Sequence, residues 1–129
     1  SVCSAFGGNS IPIKAYPIET MIAEKLQAAY AMGHFNSRCK DYYDLHILYR
    51  LKATLIDATT LYRACERTFE NRDTMFDLAA LHALFCEVVE DDVMVRRWQV
   101  FSDRNPYALG LTLHEVIGSA MELLRMMSQ

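Results

Sequence analysis

Lys25, Asp41 and Asp44 are the residues of this 129-residue chain whose types and spacing could do chemistry. Lys25 lies in the stretch AYPIETMIAEKLQAAY, residues 15–30, where Ile18, Met21, Ile22, Leu26 and Ala29 recur at three- and four-residue spacing. That spacing predicts one face of a helix, and Lys25 falls on it. Asp41 and Asp44 lie in SRCKDYYDLHILYRLK, residues 37–52, on a face that continues through Leu45 and Leu48 to Lys52. A buried, unpaired Lys or Asp is costly unless it is paired or changes protonation. Two arrangements follow. Lys25 meets Asp41 or Asp44 as an ion pair between two antiparallel helices, or the three groups line a polar cleft. In a cleft, the free N–H groups at a helix N-terminus suit phosphate. Arg38 and Lys40 in that first turn would add charge-assisted hydrogen bonds, and Lys25 would act as a point charge. A carboxylate would orient Lys25, hold a metal or accept a proton.

The elements that must position these groups read as six helices. Pro17 suits a first helical position, so the first helix is predicted from Pro17 to Met32, with Gly33 at its C′ position. Ser37 is the expected N-cap of the second, which ends near Lys52. Asp57 caps a third helix over 58–71, with Leu61, Ala64, Cys65, Thr68 and Phe69 on one face. Asp77 caps a fourth, from Leu78 to about Val89. The fifth runs from Val93 to about Ser102 and carries Val95, Trp98 and Phe101, before Asn105-Pro106 breaks it. Thr112-Leu113-His114-Glu115 is a capping-box pattern opening the sixth, to about Met127. Its apolar positions are Leu113, Val116, Ile117, Ala120, Leu123, Leu124 and Met127. Ile11, Ile13 and Ala15 alternate with Pro12 and Lys14, at most a short edge strand. The expected fold is therefore mainly α: a loop and short strand over 1–16, then one helical domain over 17–129.

Composition narrows the function. The chain is 52% hydrophobic and 22% charged, which fits a globular domain with a real core. Its formal net charge is −3, so no global field draws in nucleic acid and any such contact must be local. The apolar runs are too short to span a bilayer, and no secretory signal is visible. A cytoplasmic location is expected. Cys3, Cys39, Cys65 and Cys86 are widely spaced, without zinc-ligand spacing, and read as free thiols. His114-Glu115 fails as H-E-x-x-H, because Gly118 stands where the second His is needed.

Two segments carry a resemblance. Tyr16-Pro17-Ile18-Glu19 with Ala23-Glu24-Lys25, then Asn36-Ser37-Arg38-Cys39-Lys40-Asp41 with Asp44-Leu45, resemble paired motifs of the AbiEii/AbiGii abortive-infection toxin family of nucleotidyltransferases. Downstream, ACERTFENRDT (64–74) resembles that family's helix ending in T-F-x-x-R, and Arg97-Trp98 with Phe101 its W-x-x-F. The likeness runs from about Ile13 onward. It implies the C-terminal, mostly helical half of a nucleotidyltransferase of a type IV toxin–antitoxin system. The family's N-terminal core carries a Gly-Ser turn and a D-x-D pair for Mg²⁺ and nucleotide. Here Gly118-Ser119 occurs but no D-x-D triplet does.

Carried over, Lys25 and Asp41, with Asp44 next, are the implied catalytic residues. Lys25, Arg38 and Lys40 are the implied nucleotide contacts, and no metal ligand is assigned. NTP and Mg²⁺ are the implied cofactors of the parent protein, with no tight binding by this chain alone. The implied partners are the N-terminal core, an antitoxin protein and an RNA such as tRNA. Transfer of a nucleoside monophosphate from NTP to RNA or protein is the leading function, with this chain inactive alone. A non-catalytic helical module that binds RNA or protein is the alternative. Arg38, Lys40, Arg63, Arg67, Arg72, Arg96 and Arg97 are its candidate cations.

Overall fold

The computed structural model describes residues 17–32 and 39–128. They form six helices: α1 (Ile18–Met32), α2 (Cys39–Lys52), α3 (Ala58–Asn71), α4 (Leu78–Glu90), α5 (Asp92–Arg104) and α6 (Leu113–Met127). Single 3₁₀ turns, Ala53–Leu55 and Pro106–Ala108, follow α2 and α5. The described residues contain no strand, so the mainly α bundle expected from the sequence is the one observed. The expected edge strand near Ile11, the Gly33 and Ser37 caps and Arg38 lie outside the described residues.

Short polar side chains start the helices by satisfying N–H groups that have no carbonyl partner in the first turn. Asp57 accepts from the Thr60 N–H at 2.8 Å. Asp77 accepts from the Ala79 N–H at 2.9 Å, and Asp91 from the Val93 N–H at 2.8 Å. The Asp91 cap moves the start of α5 back to Asp92, one residue before the sequence expectation. At α6 the capping box closes both ways: the Glu115 N–H reaches Thr112 Oγ1 at 3.1 Å, and the Thr112 N–H reaches Glu115 Oε1 at 3.0 Å. Pro17 differs from its expected place. It lies just before α1 and gives its carbonyl to the Thr20 and Met21 N–H groups at 3.0 and 3.2 Å.

α1 packs on α3 and α2, and α6 packs on α2, α4 and α3. Their shared interior holds Ile22, Leu26, Tyr42, Leu61, Phe85 and Leu123, all buried. The α3 and α6 faces are those read from the sequence. Two positions depart from it. Met21 is 41% exposed, at the margin of the α1 stripe. On α5, Val95 is exposed and Met94 is buried with Trp98 and Ser102. The Trp98 indole N–H donates to the Leu111 carbonyl at 2.8 Å, which fixes the inward direction of α5. Residues four before and four after Trp98 then face the core, and Val95 turns outward.

Glu19 is a buried carboxylate, 7% exposed, at the start of α1. Its Oε2 accepts the Asp57 backbone N–H at 3.0 Å, so α1 holds the entry to α3. Lys25, further along α1, meets Asp41 and Asp44 near the start of α2. Replacing Glu19 by Ala should leave the Asp57 N–H without its acceptor and cost about 1–3 kcal/mol. Glu19→Gln, which keeps a carbonyl acceptor, should cost clearly less in the same chemical denaturation experiment.

Candidate functional site

Four charged groups converge where the middle of α1 meets the first turns of α2. Lys25 Nζ lies 3.1 Å from Asp41 Oδ1 and 2.9 Å from Asp44 Oδ2. Both carboxylates named from the sequence therefore hold the same ammonium. Lys40, one turn before Asp44 on α2, reaches Asp44 Oδ1 at 3.2 Å. Burial is graded: the Asp41 side chain is 2% exposed, Asp44 21%, Lys25 30% and Lys40 54%. Lys25 thus stands at the mouth of the cluster, with Asp41 behind it.

Burial alone would depress the Lys25 pKa. Hydrogen bonds donated to Asp44 and Asp41, with the charges of both, outweigh it and raise the ammonium above the ordinary lysine value of 10.5. Folding therefore favours the charged form. Its stabilising effect is complete below 10.5 and is lost only as pH rises through the folded-state value. At neutral pH Lys25 is a fixed cation.

Lys25 and Asp44 line one side of an open groove of about 470 Å³, with Thr20, Met21, Glu24, Ile47 and Leu48. That volume lies in the range of small-molecule sites. An ammonium has three N–H donors. Asp41 and Asp44 take two, and the ammonium is 30% exposed beside the groove.

The family-like segments also meet in space. Glu24, beside Lys25, pairs with Arg72 at 2.9 Å, and Arg72 ends the T-F-x-x-R segment of α3. Gln27 donates to Thr74 Oγ1 at 3.1 Å just beyond it. In the W-x-x-F segment, the Trp98 and Phe101 rings lie 5.2 Å apart. A family model described as "Nucleotidyl transferase AbiEii toxin, Type IV TA system" matches residues 1–117. The chain belongs to this family. No curated protein and no solved structure matches it.

AbiEii membership makes the chain one of the nucleotidyl transferase toxins of type IV toxin–antitoxin systems and brings an antitoxin with it as a partner. Among the described residues, no helix is long and apolar enough to cross a membrane. Of the other cations named from the sequence, Arg63 and Arg67 lie on α3, Arg72 is its C-cap residue, and Arg96 and Arg97 lie on α5. Cys39 and Cys65 are buried free thiols and Cys86 is an exposed one. Burial pushes Cys65 up to about 12, which keeps it protonated and unreactive.

Sequence reasoning passed over one polar contact in the core. His46 Nδ1 and Ser119 Oγ are hydrogen-bonded at 2.8 Å where α2 crosses α6, and both residues are buried. A histidine among apolar helix positions gives no sign of its partner 73 residues away. Burial lowers the His46 pKa below 6.5, Arg50 adds to that, and Glu115 opposes it. Folding thus favours the neutral ring. The resulting stability is complete above 6.5 and is lost as pH falls through the depressed folded-state value. Unfolding free energy should therefore drop between about pH 7 and about pH 5. His46→Gln should flatten that part of the profile, and the His46 ring protons should titrate below 6.5 by NMR.

Proposed function

We propose that the Lys25–Asp41–Asp44 cluster is this chain's contribution to a nucleotidyl transfer site. NTP is the donor, and a nucleoside monophosphate passes to an RNA or protein acceptor. The observation that carries this reading is the position of Lys25. It is a fixed cation at the wall of a nucleotide-sized groove, with a donor beyond those its carboxylates use. In such a transfer an acceptor oxygen attacks the α-phosphorus, the bond to the bridging oxygen breaks and pyrophosphate leaves. Negative charge grows on the phosphate oxygens, and a preorganised cation there lowers the barrier.

Each residue has a distinct part. Lys25 contacts phosphate as a compact point charge. Asp41, buried behind it, sets its position. Asp44 bridges Lys25 and Lys40 and so fixes the second cation beside the first. Arg38, outside the described residues, and Lys40 are the further phosphate contacts. Mg²⁺ does not fit this donor set. Ammonium groups hold both carboxylates, and no three His, Cys, Asp or Glu side chains among the described residues could gather round an ion. The metal carboxylates belong to an N-terminal core, and the chain alone is inactive.

The test uses the whole protein. Lys25→Ala should lower the transfer rate by roughly 10²–10³-fold, the scale for losing one transition-state donor. It should also weaken NTP binding measured by calorimetry. If the variant melts at a lower temperature but transfers at the wild-type rate, Lys25 is a packing ion pair and the proposal fails.

A further inference from the structure

α5 keeps one face outside the bundle. Val93, Arg97, Val100 and Arg104 follow at spacings of four, three and four residues, a single stripe of a helix, and Arg96 borders it. Val93 is 51% exposed and Val100 48%. With Cys39 and Phe101 they line an open groove of about 530 Å³ that no carboxylate lines.

The charge along this stripe is unbalanced. Arg72 pairs with Glu24 and Arg125 with Glu122. Arg96, Arg97 and Arg104 form no ion pair among the described residues. At 1.5 Å per residue, the three span about 12 Å of helix. Arg97 and Cys39, the first residue of α2, line the same groove, so the arginine adds to the positive end of that helix dipole. A protein of net charge −3 thus gathers three uncompensated cations in one groove.

The chain cannot neutralise them with the segments outside the described residues. Neither 1–16 nor 33–38 contains an Asp or Glu. The one ring in the groove, Phe101, packs against Trp98 and Tyr107, with ring centroids 5.2 and 6.3 Å away, and the exposed apolar positions are valines, so the groove favours aliphatic contacts over base stacking. A four–three–four stripe of alternating valine and arginine is instead the complement of a second helix with apolar and acidic positions at the same spacing.

We propose that this face of α5 docks an acidic amphipathic helix of a partner protein. Its aliphatic side chains seat on Val93 and Val100, and its carboxylates pair with Arg96, Arg97 and Arg104. The proposal stands independently of the nucleotide reading.

The test uses the full chain and a fluorescent helical peptide of roughly 18 residues with leucine and glutamate at four–three–four spacing. A twin carries lysine in place of each glutamate. The acidic peptide should bind in fluorescence polarisation, more weakly as salt rises, and the basic twin should not. Arg97→Glu with Arg104→Glu should weaken the acidic peptide at least about tenfold and turn preference to the basic twin. Val93→Asp should weaken it separately. All three positions are exposed, and circular dichroism checks that the variants fold.

Three results would overturn the proposal. One is no acidic-peptide binding, or binding indifferent to the charge reversal. Another is tighter, arginine-dependent binding of a single-stranded RNA oligonucleotide, which would make the groove a nucleic-acid site. The third is a concentration-dependent dimer, seen by light scattering and abolished by the same substitutions, which would make a second copy the occupant.

Discussion

An ammonium on the packed stripe of α1 is tolerated only where carboxylates meet it, and that condition sets how α1 lies against α2. Lys25 sits between Ile22 and Leu26 along the chain, both fully buried. Its stem covers apolar surface while its head reaches the helix edge. Two carboxylates one turn apart on α2 close on it from one side. Removing Lys25 would take from Asp41 and Asp44 the ammonium they share, and sliding α2 by one residue would break both contacts at once. The pair therefore acts as a register device, which is the best-attested structural use of buried ion pairs. The same geometry is what a phosphate-binding lysine needs. Its position is held from behind, and its remaining donor is left over.

The residues around this device extend the same logic outward. Glu19 ties the start of α1 to the start of α3, and Glu24 ties its middle to the end of α3 through Arg72. α1 is thus fastened at both ends of α3 and at the head of α2, chiefly by polar groups that flank one apolar stripe. Glutamates that fall in a family-like motif of the sequence have structural partners here. Segment similarity alone does not separate the residues that hold a site from those that work in it.

What could be read from the sequence follows from how local the determining interaction is. The caps at Asp57, Asp77 and Thr112 depend on neighbours within three residues, and all were legible. So were the faces of α3 and α6, whose apolar residues recur without a competing choice. The α5 face was not. Val95 and Met94 are both apolar and both near Trp98, so periodicity has two solutions. The decision rests on the indole hydrogen bond to Leu111. The Lys25 cluster was half legible: the anomaly of a cation on a stripe was visible, whereas its sharing between both carboxylates depends on how two helices pack. His46 with Ser119 and Glu19 with Asp57 were not legible, because each joins positions far apart in the chain.

The two charged regions differ in what they can attract. Lys25, Lys40, Asp41 and Asp44 sum to zero, so their cluster has little long-range pull on an anion. A ligand must come close enough to compete with the carboxylates for the ammonium donors, which favours a nucleotide that is already held by other contacts. The α5 groove carries its arginines uncompensated, so it acts at the range of the Debye length, about 8 Å at physiological salt. Its field steers an acidic surface toward it before contact. Under the two proposals, the nucleotide is needed in one fixed pose and the protein partner is found from solution. The cluster then contributes geometry, and the groove contributes encounter.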